Sequence, residues 1–210
     1  MRIKKIFKTL QFSNPMKVLL SLILKSAVDI KLKNGLVFKD CVDEHASILH
    51  EVFGEECYTK YRKIGKKDIV VDAGASIGDF TLLALKSGAR VFPFESSSKI
   101  QKMLIKNLIV NGHSTQETFG KFDKYSLKPF NRIDFLKIDI EGGEFDSILG
   151  MKNSDLKKAR YVAMEVHHAC GDTNALIEKF ERCGFKTALE QHPNSKDMGY
   201  IYARLAKSTD

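Results

Sequence analysis

The sequence predicts an α/β fold in which a parallel sheet with crossover helices is preceded by a basic N-terminal helix and a β-hairpin. Three observations carry that expectation. From Ile64 onward, short apolar runs alternate with segments of helical periodicity, the pattern of strands and crossover helices. The first run leads into a turn with glycines at 74 and 78 that opens a helix. Near the C-terminus two further runs flank a Pro-Asn-Ser turn and read as a closing antiparallel pair.

Taken in order, Ile3, Ile6, Phe7 and Leu10 fall at i, i+3, i+4 and i+7 with lysines between them, an amphipathic helix with a basic face. Such a helix either docks on its own domain through the apolar stripe or makes a peripheral contact with an anionic membrane surface. After Pro15 an apolar segment leads to residues 28–39, where alternation on both sides of Asn34-Gly35 signals a hairpin. Residues 1–63 are therefore assigned to an N-terminal unit packed on a main domain of residues 64–210. Within that domain strands are expected at 69–73, 91–95, 135–141 and 161–166. Periodic Phe80, Leu83, Ala84 and Leu85 make a helix after the first strand, and Ile100, Met103, Leu104 and Leu108 make one after the second. Residues 175–183 form another helix with Gly184 as its C-cap, and 185–190 and 200–205 are the last two strands.

Composition narrows the function. A chain of 210 residues with 43% hydrophobic and 29% charged residues reads as one soluble domain able to fold without disulfide or metal staples. Cys41, Cys57, Cys170 and Cys183 form no C-x-x-C, which excludes a zinc knuckle or thioredoxin-type pair and makes a reducing cytoplasm the expected compartment. The apolar stretch 18–24 is far shorter than the roughly 20 residues a spanning helix needs, and no small-x-small cleavage site follows it cleanly. The net charge is +8, but Arg2 and seven lysines stand against Asp29 alone in residues 1–33, so the rest is nearly neutral. A nucleic-acid groove, which needs cations clustered along the main domain, is not expected.

The turn Asp72-Ala-Gly74-Ala75-Ser76-Ile77-Gly78-Asp79 lies where open α/β sheets bind ligands, at the carboxyl end of a strand. Its glycines lack the middle member of a dinucleotide fingerprint, and no Gly-Lys-Ser/Thr follows, so a nicotinamide or phosphate ligand is disfavoured. Asp72 suits a cationic ligand such as the amino group and sulfonium of S-adenosylmethionine. Glu95, ending the second strand, is placed to accept hydrogen bonds from ribose hydroxyls. Asp79 is given the structural role of a first-turn acid complementing the helix dipole.

These residues carry a family resemblance. The segments Val70-Val-Asp-Ala-Gly-Ala-Ser-Ile-Gly-Asp-Phe-Thr81, Val91-Phe-Pro-Phe-Glu95, Asn107-Leu-Ile-Val-Asn111 and above all Asp134-Phe-Leu-Lys-Ile-Asp-Ile-Glu-Gly-Gly-Glu144 resemble the FkbM family of S-adenosylmethionine-dependent methyltransferases, over about residues 30–205. The resemblance implies a Rossmann-like class I methyltransferase sheet of order 3-2-1-4-5-7-6, with S-adenosylmethionine as cofactor. It also implies methyl transfer to a hydroxyl oxygen of a carbohydrate, glycolipid or secondary metabolite. The implied cofactor-binding residues are Asp72, Gly74, Ala75, Ser76, Gly78, Glu95 and Ser96, with Tyr58 covering the pocket from the segment 51–61. Two departures stand out. Glu95 is followed by Ser96-Ser-Ser98 where the family has Glu-Pro, and only residues 113–132 fill the place of a third strand, which is expected to be short or absent. That shortening motivates an alternative reading, a catalytically inactive binding module on the same fold.

Alternation over 135–141 places Phe135, Lys137, Asp139 and Glu141 on one face, with Asp139 and Glu141 as candidate bases for the acceptor hydroxyl. Lys137, deeper in the strand, is expected to pair with a neighbouring carboxylate. In Met164-Glu-Val-His-His168, Glu165 and His167 share a face, making His167 a second candidate base, neutral near pH 7. A divalent metal on Asp139, Glu141, Glu165 and His167 is the alternative use of the same groups, but no local metal-binding spacing is visible and no metal is expected.

Overall fold

In the computed structural model, which describes residues 26–206, Gly35 turns the chain at φ +93° so that β1 (Val28–Lys31) pairs antiparallel with β2 (Val37–Cys41). The amphipathic segment 3–10 and the apolar segment 18–24 lie outside the described residues. Helix α1 (Asp43–Phe53) and a 3₁₀ turn (Cys57–Thr59) lead into the sheet. There β3 (Ile69–Ala73), β4 (Arg90–Phe94), β5 (Phe135–Ile138) and β6 (Tyr161–His167) run parallel, while β8 (Met198–Leu205) is antiparallel to both β6 and β7 (Phe185–Gln191). The connecting helices are α2 (Asp79–Lys86), α3 (Ser98–Val110), α4 (Glu144–Leu149), α5 (Asn153–Leu156) and α6 (Thr173–Arg182). Among the described residues no helix is long and apolar enough to cross a membrane.

The central parallel strands β3, β5 and β6 are buried on both faces, as continuous apolar runs in a parallel sheet require. Leu136, Ile138, Val162 and Met164 meet Phe145 and Ile148 of α4 and Leu176 and Phe180 of α6. The alternate residues Val70, Phe135 and Ala163 pack on the other side with Phe80 of α2, Val52 of α1 and Tyr58. The β1–β2 hairpin is held to α3 by asparagine side chains. Asn107 Oδ1 accepts from the Lys39 amide at 2.8 Å, and Asn111 Oδ1 accepts from the Val37 amide at 2.9 Å.

The sheet order is β4-β3-β5-β6-β8-β7. Counted from β3, that is 2-1-4-5-7-6, the expected sequence without its third strand. A single parallel bridge between Phe94 and Phe119 stands in that strand's place. Pro93 explains why the pairing stops there. Its carbonyl accepts from Phe119 N at 2.8 Å, so its nitrogen faces the same open edge and offers no hydrogen to a further partner. Segment 113–132 instead covers the edge with rings: Phe119 lies 5.1 Å from Phe94, and Phe130 lies 4.8 Å from Phe92.

One strand is shorter than expected. β5 ends at Ile138, three residues before Glu141. Its neighbour β3 turns away at Gly74, so after Asp139 N donates to Ala73 O at 3.0 Å no partner remains on that side, and the pairing with β6 ends at Ile138 and Met164 although β6 runs on to His167. The chain then bends through Glu141 at φ +54° and Gly142 at φ +95°. Glu141 thus leaves the face it was expected to share with Lys137 and Asp139.

Candidate active site

A cavity of about 360 Å³ opens at the carboxyl ends of the parallel strands, lined by Gly74, Glu95, Asp139 and Glu165 at the strand ends and by Glu44, Ile48 and Glu51 of α1. Of the expected cofactor-side residues, Gly74, Ser76, Glu95, Ser96 and Tyr58 line it. Glu95 is buried and clasped by two backbone donors, Ser76 N at 3.0 Å to Oε2 and Ser97 N at 2.8 Å to Oε1. These bonds tie the turn after β3 to the end of β4. Phe94 O supports the same turn by accepting from both Gly74 N and Ala75 N at 2.9 and 2.8 Å.

Asp72, Ala75 and Gly78 do not line the cavity, which corrects their expected contact with a ligand. Asp72 is fully buried behind it, accepting from the Thr81 hydroxyl at 2.6 Å and lying 3.5 Å from Lys137 Nζ. Ala75 packs in the core beneath α3. Gly78, at φ +91°, lets α2 begin close to α3, since a Cβ there would stand 2.7 Å from Leu104. The acid of this turn that does reach the cavity is Asp79, earlier given a structural role. It is 3% exposed, its Oδ1 accepts from Phe80 N at 2.7 Å, and its Oδ2 has no hydrogen-bond partner among the described residues.

Burial pushes Asp79 up to about 7, with Lys137 opposing the shift and Asp72 adding to it. An aspartate raised in the folded state holds its proton more tightly there than in the unfolded chain, where its pKa is about 3.9. Stability therefore falls as pH rises from about 4 to about 7 and levels off beyond. Asp79→Asn is expected to stabilise the protein, with a gap over wild type that grows across that window to about 4 kcal/mol. Urea unfolding at pH 5 and pH 8 checks this, and a pH-independent gap counts against it.

Lys137 is buried against the turn. Its Nζ donates to Gly74 O at 2.6 Å and lies 3.5 Å from Asp72 and 3.7 Å from Asp139, the carboxylate pairing expected of it. Burial works to depress its pKa, but Asp72, Asp139 and Asp79 outweigh burial and hold it above the ordinary lysine value. Tyr58 is buried with its ring edge-on to Phe80 and Tyr200. Its hydroxyl lies 2.9 Å from Asp139 Oδ2 and 3.1 Å from Glu165 Oε2. One hydroxyl has one proton to give, so the two carboxylates flanking it are served together only if one is itself protonated. Burial, then the charges of Asp139 and Glu51, push Glu165 up to about 8, which assigns that proton to Glu165 and leaves Tyr58 donating to Asp139.

His167 does not stand as the neutral base expected of it. Glu141 Oε2 lies 3.3 Å from Nε2 and Glu144 Oε1 lies 3.1 Å from Nδ1. Hydrogen bonding to Glu141, then to Glu144, pushes the imidazole up to about 11, so it carries a proton at neutral pH. His168 faces elsewhere, with Nδ1 2.8 Å from the Thr173 hydroxyl. Sequence reasoning left Glu144 without a role, although it closes the Glu141-Gly-Gly-Glu144 phrase. It also overlooked α1, whose Glu44, Ile48 and Glu51 sit at i, i+4 and i+7 and so share a side of the helix.

A parallel sheet with two antiparallel closing strands and a strand-end cavity is the arrangement of the Rossmann-like class I methyltransferases. The solved structures it resembles include the precorrin-6y C5,15-methyltransferase of Geobacter metallireducens, at 17% identity and TM-score 0.54 over 84% of this chain and 92% of that one. The magnesium protoporphyrin IX methyltransferase of Synechocystis, solved with bound S-adenosylmethionine, is similar at 15% identity and TM-score 0.51 over 76% and 77%. At these identities the likeness is one of fold. Residues 120–187 match the family described as the methyltransferase FkbM domain, which bears out the family resemblance over a narrower stretch than residues 30–205. A further relative is the AMB antimetabolite synthetase AmbE of Pseudomonas aeruginosa, 37% identical over 65 residues, which are 29% of this chain. The match spans only 3% of that protein's length.

Proposed function

We propose that this chain transfers the methyl group of S-adenosylmethionine to a hydroxyl oxygen of a small acceptor, a carbohydrate, glycolipid or secondary metabolite. The observation that carries the reading is a single cavity joining two halves. On one side the backbone-anchored Glu95 carboxylate stands among Phe94, Ile100 and Phe122, and on the other the Asp139 carboxylate stands at the end of β5.

The first half fits the cofactor. Apolar walls suit a purine, the Glu95 carboxylate suits two ribose hydroxyls, and the unpartnered Asp79 oxygen suits an ammonium or sulfonium. S-adenosylmethionine supplies, when bound, a methyl group activated by its positive sulfur. In the second half Asp139, held by the Tyr58 hydroxyl, orients the acceptor hydroxyl and takes its proton as the oxygen attacks. Holding the two reactants in line supplies most of the acceleration. The inactive-module alternative rested on the shortened segment 113–132. That segment contributes Lys121 and Phe122 to the cavity wall, which supports a working adenine side.

Calorimetric titration with S-adenosylmethionine and S-adenosylhomocysteine tests the reading without the acceptor. Micromolar binding, about 8 kcal/mol, is expected, and no saturable binding of either compound overturns it. Glu95→Ala, which deletes two charge-assisted hydrogen bonds to the ligand, is expected to weaken binding about 100-fold.

A further inference from the structure

We propose that Asp139, Glu141 and His167 form a binding site for a divalent cation of the Mn2+ type at the mouth of the cavity. Each offers one ligand atom, and these atoms lie within 4.8 Å of one another. His167 is far in sequence from Asp139 and Glu141 and meets them because β5 and β6 are adjacent and parallel, which brings the segment after β5 to the carboxyl end of β6. The bend after β5 turns Glu141 back toward the end of β6, where its carboxylate reaches His167 Nε2.

The second observation lies behind the histidine. Glu144, fully buried at the start of α4, holds His167 Nδ1 at 3.1 Å through Oε1, which also accepts from Ile140 N at 3.3 Å. Its Oε2 has no hydrogen-bond partner among the described residues. A buried carboxylate fixing one ring nitrogen leaves the other directed at the cluster, the arrangement that orients histidines on metal ions, and the incoming ion displaces the Nε2 proton to solvent. The third observation is Asp79, whose buried, unpartnered Oδ2 belongs to the same cavity, where acidic side chains outnumber Lys121 and Lys137. An excess of carboxylates around a cavity favours cationic occupants.

Two carboxylate oxygens and one imidazole nitrogen form a mixed hard and borderline donor set. It suits Mn2+, which accepts both donor types in six-fold coordination, better than Mg2+, which prefers oxygen alone. Three protein donors leave the remaining positions to water or to the acceptor. The Glu141 side chain is 86% exposed, so those positions are reachable from solvent. The ion's role rests on the methyl-transfer reading: with the ion bound Asp139 serves as a ligand in place of the base, and an acceptor hydroxyl on the ion becomes more acidic and gives its proton to water at the open mouth. The binding claim stands apart from that role.

Manganese electron paramagnetic resonance on the full chain, freed of metal by a chelator and without S-adenosylmethionine, tests the site using Mn2+ alone. One saturable Mn2+ per chain is expected. Glu141→Gln, at an exposed position where folding is not in question, is expected to weaken binding at least tenfold. Glu144→Gln, acting through His167, is expected to weaken it about 10- to 100-fold. No saturable binding, or equal binding by wild type and Glu141→Gln, overturns the proposal. Parallel titration with S-adenosylmethionine separates the two readings, since Mn2+ binding without cofactor binding leaves the site standing and removes the methyl-transfer function.

Discussion

Lys137→Met is expected to cost the protein about 3–5 kcal/mol of stability, the loss typical of a buried ion pair stripped of one partner. The ammonium has three jobs that a thioether cannot do. It neutralises the fully buried Asp72, it lies close to Asp139, and it donates to Gly74 O at 2.6 Å, which pins the turn after β3 against β5. Without it Asp72 keeps only the Thr81 hydroxyl. The double variant Lys137→Met, Asp72→Asn isolates the charge component, because a neutral amide in place of the stranded carboxylate is expected to recover more than half of the loss. Urea unfolding of the four proteins in that cycle gives the coupling directly. Additive losses would mean that Lys137 acts through packing and not through Asp72.

This network shows where sequence reading succeeds and where it stops. The apolar runs that became β3, β4 and β6 were legible to within a residue because a strand buried on both faces has little freedom in composition. The pairing of Lys137 was legible too, since an unpaired ammonium in the middle of an apolar strand is too costly to keep. The end of β5 was not legible. Alternation continues through Asp139 and Glu141, but β3 leaves on one side at Gly74, and the chain bends away from β6 at Glu141 and Gly142. That tertiary fact moved Glu141 out of the strand and across to His167. The same limit hid the roles of the two aspartates. Asp72 and Asp79 sit in one phrase, and only the three-dimensional turn shows that the first points into the core and the second into the cavity.

His167 illustrates a different limit. A histidine at a strand end reads as titrating near neutrality when its neighbours are unknown. Two carboxylates from the loop and helix after β5 change its protonation, and neither is near it in sequence. The missing third strand had a signal that pointed the right way, because Pro93 in an apolar run is confined to an edge.

Gly74→Ala is expected to be the most damaging change in the binding turn, and a second glycine shows how much of that damage is local strain. Gly35 and Gly74 take similar backbone angles, φ +93° and +80°. A Cβ on Gly35 meets nothing within 4 Å, so Gly35→Ala carries only the conformational cost of a left-handed alanine, about 1–2 kcal/mol. A Cβ on Gly74 overlaps the carbonyl oxygen of Asp139 and stands 2.8 Å from its carbonyl carbon. Backbone cannot swing aside as a side chain does, so the turn must move away from β5, adding about 1–3 kcal/mol of overpacking. That displacement acts on the site in two ways: it lengthens the Lys137 bond to Gly74 O and shifts Ser76 N away from Glu95. Urea unfolding and S-adenosylmethionine titration of both variants are expected to diverge. Gly35→Ala should bind as wild type does with a small stability loss, and Gly74→Ala should lose both binding and at least twice as much stability. Equal losses in the two variants would show that the close approach of Gly74 to Asp139 is not what holds the turn in place.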